Sequence, residues 1–204
     1  MDFEHWRHYA RGWLLHFIGR EEKAFNEYAA AYRLKPDDVQ AARHLAHIAA
    51  GRKHYDVADK WFVETLRLAP EDADTHFNRG FTLEQAGRSR EAIAAFAESV
   101  RLKPIQDRAF YGMGLAHARL GEHAEAAEAF AKSVELQPMN GEGYYQWGMA
   151  CHHANRHDEV GKVAKRLADF DPKRAMKLIQ DAGRPDLLPL VPENVRRFFE
   201  TYRH

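Results

Sequence analysis

Thirteen histidines and one cysteine are the residues of this 204-residue chain whose types could carry chemistry. His5 with His8, and His44 with His47, are spaced to share one face of a helix. His152, His153 and His157 crowd a third short stretch. Imidazole is a common zinc ligand, but a closed structural site takes four ligands in a tetrahedron. No repeated histidine pair supplies that set, and no second cysteine completes it. The histidines therefore read as helix-surface groups, with no metal and no cofactor expected. Cys151 beside His152 has the types for a nucleophile and its base. Adjacent residues on a helix point about 100° apart, so the two do not face each other as a pair. Glycine-rich phosphate loops and paired catalytic carboxylates do not stand out from a helix-surface background, and the chain is expected not to be an enzyme.

Charge narrows the partner classes further. Lys plus Arg number 30 and Asp plus Glu number 30, for a formal net charge of +0. Nucleic-acid binding calls for a basic excess or stripe to neutralise phosphates, so no nucleic acid is expected as a partner. The opening stretch MDFEHWRHYARGW places Asp2, Glu4 and Arg7 where an export signal needs an apolar centre. Apolar runs fall short of the roughly 20 residues that span a bilayer, so no membrane partner is expected. A lone cysteine excludes an intrachain disulfide framework and suits a reducing compartment. These readings point to a soluble cytoplasmic protein.

What would position any binding residue is a repeat. Pro36, Pro70, Pro104, Pro138 and Pro172 each fall 34 residues after the last, in the contexts RLKP, RLAP, RLKP, ELQP and DFDP. A fixed period of about 20–50 residues marks a stack of one supersecondary unit. With the units aligned from residue 5, the eighth slot reads Gly12, Ala46, Gly80, Gly114, Gly148, and the twentieth reads Ala24, Ala58, Ala92, Ala126, Val160. The twenty-fourth reads Tyr28, Phe62, Phe96, Phe130, Ala164, and the twenty-seventh Ala31, Thr65, Ser99, Ser133, Leu167. Small residues let two helices approach, and the aromatic fills the space beside them. Each unit then reads as two helices joined by a short turn. Gly19-Arg20, Gly51-Arg52, Gly87-Arg88, Gly121-Glu122 and Asn155-Arg156 lie near mid-unit, where Gly or Asn ends the first helix in a left-handed conformation. Asp37, Asp38, Asp72, Asp74, Asp107 and Asn140 stand near the start of a following helix, available to cap it.

These columns resemble the tetratricopeptide repeat, with HFNRGFTLEQAGRSREAIAAFAESVRLKP as the clearest stretch. The resemblance covers residues 5–174 as five repeats, about 5–38, 39–72, 73–106, 107–140 and 141–174. It implies an all-α, right-handed superhelical solenoid of helix–turn–helix repeats with C-terminal capping helices. The chain departs from the pattern at His8, Ala42 and His76 in the fourth slot and at Arg11 and Arg79 in the seventh. Val160 and Ala164 replace the Ala–aromatic pair in the fifth repeat, as suits a terminal unit. KRAMKLIQDAG reads as a covering helix through Ala175, Met176, Leu178 and Ile179, which extends the repeat domain to residues 1–182. Residues 183–204 read as a Pro-rich linker, RPDLLPLVP, and an amphipathic helix carrying Val195, Phe198, Phe199 and Tyr202.

The resemblance also implies that slots two, five, nine and twelve of each first helix line a concave groove. Slot five holds Tyr9, Arg43, Phe77, Tyr111 and Tyr145; slot nine holds Trp13, His47, Phe81, Leu115 and Met149. Slots two and twelve add Trp6, Arg108, His16, Glu84 and His152. Slot nine is the sharper signal, because a row of large side chains stands where peptide-binding members often carry a polar one. Some members grip a terminal carboxylate with basic residues and Asn across three units. Arg43, His47, Asn78 and Arg108 approach that pattern, but Gly112 stands where the last basic partner belongs, so solvated groove charges are the reading adopted. The expected function is a non-catalytic adaptor or scaffold that binds a peptide segment of a protein partner. The alternative is a self-assembling module, a homo-oligomer in which the C-terminal helix occupies the groove within one chain or between copies.

Overall fold

The computed structural model describes residues 3–201. Among them every regular element is helical. The chain divides into two compact units, the first ending at Pro104 and the second beginning at Ile105. The first unit contains α1 (Phe3–Phe17), α2 (Glu21–Leu34), α3 (Val39–Gly51), α4 (Tyr55–Leu68), α5 (Ala73–Gln85) and α6 (Ser89–Leu102). The second contains α7 (Asp107–Arg119), α8 (His123–Leu136), α9 (Gly141–His153), α10 (His157–Ala168) and α11 (Pro172–Asp181). A 3₁₀ segment, Pro185–Leu190, and α12 (Glu193–Thr201) follow. Consecutive helices pack in pairs, α1 on α2, α3 on α4, α5 on α6, α7 on α8 and α9 on α10. This is the helix–turn–helix repeat that the proline period predicts.

Local chemistry explains the boundaries. Asp38 accepts hydrogen bonds from the backbone N–H groups of Gln40 and Ala41, at 2.9 and 3.0 Å, and so starts α3. Asp72 does the same for α5 through Asp74 and Thr75, both at 3.2 Å, and Asn140 starts α9 through Gly143 at 3.0 Å. These side chains satisfy amides that a helix start leaves unpaired. Asp107 is different: it lies inside α7, and the residue before it, Gln106, makes no side-chain cap bond. Within each pair the first helix ends on a left-handed residue, Gly19, Lys53, Gly87, Gly121 or Asn155. The expectation of Gly51 at this place is corrected. Gly51 closes α3, and the left-handed residue is Lys53, at φ 61°. Lys53 stands 34 residues from both Gly19 and Gly87, so the column is kept while the residue type is not.

The core follows the columns. Ala24, Ala58, Ala92, Ala126 and Val160 are buried, as are Tyr28, Phe62, Phe96 and Phe130. In three repeats the ring lies flat against the eighth-slot glycine: a Cβ on Gly12 would meet Tyr28 at 3.0 Å, on Gly80 Phe96 at 2.8 Å, and on Gly114 Phe130 at 2.6 Å. Three of the departures from the pattern have polar partners. His8 pairs with Glu27 at 2.5 Å, and His76 Nε2 lies 3.0 Å from the Pro70 carbonyl oxygen. Arg79 donates to buried Asp59 at 2.6 Å, and Arg88 holds the second oxygen of that carboxylate at 2.8 Å. A seventh-slot arginine is tolerated there because a carboxylate of the preceding repeat meets it.

Ala175, Met176, Leu178 and Ile179 of α11 are buried with Val163, Ala164 and Leu167 of α10. Val195 of α12 joins the same cluster, and Phe199 packs against it. Tyr202, the last member of the expected stripe, and the side chain of Phe198 lie outside the described residues. Among the described residues no helix is long and apolar enough to cross a membrane, and no group of three or more His, Cys, Asp or Glu side chains is placed to hold a metal ion.

Candidate functional site

In the first unit, slots five and nine of α1, α3 and α5 form a floor of rings with a rim of exposed side chains. Tyr9 meets Tyr28 edge-on at 5.4 Å and His44 edge-on at 5.9 Å, between ring centres. His44 stacks on Tyr28 at 4.5 Å with the planes 8° apart, and His16 meets His44 edge-on at 6.0 Å. Edge and offset contacts of this kind are the favoured geometries for aromatic pairs. They tie α1 and α3 side by side. Phe77 packs on Phe96 at 5.8 Å, repeating the Tyr9–Tyr28 contact two repeats on. The fifth-slot rings are thus half-buried and committed to the fold.

The ninth slot behaves differently. Trp13 and Phe81 are each 55% exposed, and His47 between them is exposed while its ring edge rests on Phe62 at 5.5 Å. Three large side chains therefore stand in one register on three first helices of this unit. Arg43 lies beside them, and its guanidinium is held by Asp72 at 2.5 Å and by Gln40 at 3.2 Å. Asp72 is the α5 cap, so Arg43 already has a structural carboxylate partner. Asn78 is half-buried on α5.

Electrostatics follow burial. His44 is held below the ordinary histidine pKa first by burial and then by the neighbouring His16, His47 and Arg43, with Asp38 opposing. Tyr28 is pushed up to about 12 by burial and by Tyr9. Burial thus favours the uncharged forms of His44 and Tyr28, and these two rings offer stacking surface rather than charge.

In the second unit the same slots are largely covered. Tyr111 meets Phe130 edge-on at 5.4 Å, the fifth-slot contact again. Leu115 packs against a cluster containing Ala126, Phe130 and Cys151. Tyr145 and Met149 pack against the cluster that includes Leu178. Tyr145 also donates to Asp181 at 2.7 Å, and Lys177 Nζ lies 4.7 Å from its ring centre. Burial and the Asp181 carboxylate push Tyr145 up to about 12. Arg108 is exposed on α7.

Comparison with known proteins fits this geometry. Tetratricopeptide repeat patterns match residues 7–38, 43–104, 77–141 and 111–175. The chain belongs to the tetratricopeptide repeat family. Among solved structures, MamA superposes with a TM-score of 0.79 at 21% identity, over 86% of this chain and 96% of that one. YrrB, described as a TPR protein with an unusual peptide-binding site, superposes with a TM-score of 0.74 at 20% identity, over 85% and 90%. The mouse protein O-mannosyl-transferase TMTC3 is 25% identical over 75 residues, 37% of this chain. The chain spans 8% of that relative's length.

Sequence reasoning placed weight on the ninth slot and named His16 among the groove side chains, but missed the part played by His44. Both histidines are ring components of the floor, and the signal for His44 was its place next to the fifth slot, between two aromatic columns. Cys151, weighed as a nucleophile, is buried. Its thiol lies 3.6 Å from Glu159, and burial, followed by that carboxylate, pushes its pKa up to about 12.

Proposed function

We propose that this protein is a non-catalytic adaptor that captures a peptide segment of a protein partner along the ninth-slot row of its first unit. The carrying observation is the contrast within one column. Trp13, His47 and Phe81 stand exposed over a floor of half-buried and buried rings, whereas Leu115 and Met149 are half-buried against the core. Exposed aromatics on a rigid floor are the usual anchors of a peptide interface, since they bury much apolar area with few torsions to fix. The uncharged His44 and Tyr28 rings favour apolar or aromatic peptide side chains over acidic ones. Arg43 and Asn78 are proposed to meet polar groups of the ligand, with Arg43 exchanging or sharing its Asp72 partner. Tyr9 and Phe77 support the row from beneath. The peptide-binding description of YrrB supports the same reading, as does the repeat family itself. Residence in the cytoplasm is part of the proposal.

Packing of Val195 and Phe199 against the α11 cluster supports this reading over the alternative in which the C-terminal helix fills the groove. Selection from a displayed peptide library tests the proposal. Peptides recovered with the wild type are expected to lose about tenfold or more in affinity for a Trp13→Ala, Phe81→Ala variant. Equal affinity for both proteins contradicts it.

A further inference from the structure

The outer face of α1 is apolar in a way that the repeat does not require. Slot two carries Gln40, Asp74, Arg108 and Glu142 in the later repeats, but Trp6 in the first. Slot thirteen carries Gly51, Gln85, Arg119 and His153, but Phe17 in the first. Slot ten is buried at Ile48, Thr82 and Ala150, whereas Leu14 of α1 is 54% exposed. Phe3, Trp6 and Phe17 are 68%, 58% and 77% exposed. At about 100° per residue these side chains form one stripe with Ala10 at its middle, on the side of α1 away from the buried Gly12.

The stripe reads the same in both directions. Phe3, Trp6, Ala10, Leu14 and Phe17 are separated by 3, 4, 4 and 3 residues. Reversing the helix about Ala10 sets Phe3 on Phe17 and Trp6 on Leu14, with the smallest residue at the crossing point. A two-fold interface places the same patch on both partners and must be complementary to itself. We propose that this face of α1 binds a second copy of the chain, the two α1 helices packing antiparallel about Ala10. Arg7 then lies opposite Trp13 of the other copy, where a guanidinium can rest on an indole face.

The area agrees with a reversible dimer. Aromatic side chains present about 150–250 Å² each when fully exposed. At the exposures above, the four large side chains offer roughly 400–500 Å² per copy, or about 1,000 Å² in all, at the lower edge of specific interfaces. That is also near the upper end of the apolar patch a monomer leaves bare.

Sedimentation of the full chain over a concentration series tests this. The mass is expected to rise from 23.5 kDa towards twice that value. Leu14→Glu, at an exposed position outside the proposed peptide row, and Phe17→Glu, whose native ring stacks on Trp13, are each expected to weaken association about tenfold or more while helical content is kept. In a Cys151→Ser background, Ala10→Cys is expected to join two copies through a short bismaleimide, whereas Glu22→Cys on α2 is not. A mass that stays monomeric at every concentration overturns the proposal. So does a dimer indifferent to both glutamate substitutions. The two surfaces share Trp13, which stacks on Phe17 at 5.8 Å, so the peptide row is read separately through Phe81 on α5, which is not part of this face.

Discussion

Leu178 of α11 lies over Gly148 of α9, so close that a Cβ on the glycine would come within 2.5 Å of it. Tyr28, Phe96 and Phe130 hold the same relation to Gly12, Gly80 and Gly114. The fifth repeat has Ala164 where those rings would be, and a leucine from the next helix takes the vacated place. The repeat is thus completed by a residue outside it.

Leu178→Ala is therefore expected to destabilise the protein by about 2–5 kcal/mol, the cost of an emptied core position. Urea unfolding measures it, with Lys177→Ala on the same helix as the control.

The glycines themselves should respond in order of their clearance. Alanine gains about 1 kcal/mol over glycine in a helix interior, whereas overpacking costs about 1–3 kcal/mol. At Gly12, with 3.0 Å to the ring, the two effects roughly cancel. At Gly80 and then Gly114 the clearance narrows to 2.8 and 2.6 Å. Denaturant midpoints should accordingly leave Gly12→Ala near wild type and place Gly114→Ala lowest, by about 1–2 kcal/mol.

Lys53 pays a conformational cost that glycine would not, since a left-handed backbone costs a side-chain-bearing residue about 1–2 kcal/mol. Part of the gain is offset by the greater freedom of glycine in the unfolded chain. Lys53→Gly should raise stability by about 0.5–1 kcal/mol, and Gly87→Ala at φ 76° should lower it, both read from thermal unfolding.

His44 should make stability fall with acid. Its folded pKa lies below the ordinary value of about 6.5, so between the two the unfolded chain binds more protons. The contribution is complete above the ordinary value and is lost as pH falls towards the folded one. Melting temperatures from about pH 7.5 down to about pH 5.5 should drop less for His44→Phe than for the wild type. A parallel fall in both would contradict the assignment.

Much of the architecture was legible because its columns have simple physical causes. Proline after the second helix, glycine beneath a ring and a capping aspartate before the next helix are each local. Lys53 was misread because a glycine two residues earlier resembled the expected signal, although counting 34 residues from Gly19 leads to the lysine. Leu178 in the place of a ring was not legible, since it depends on a helix beyond the last repeat. The ninth-slot row was legible as a list of residues but not as exposure. Whether Leu115 or Phe81 is covered depends on neighbouring side chains such as those of Ala126 and Phe130, which a period does not reveal.

Photocrosslinking from within the row tests the peptide-binding reading most directly. A photoreactive phenylalanine replaces Phe81 in one protein and Val63, exposed on α4, in another. With a peptide selected on the wild type, the account predicts crosslinking from position 81 and little from position 63. Crosslinking from 63 with none from 81 would contradict it.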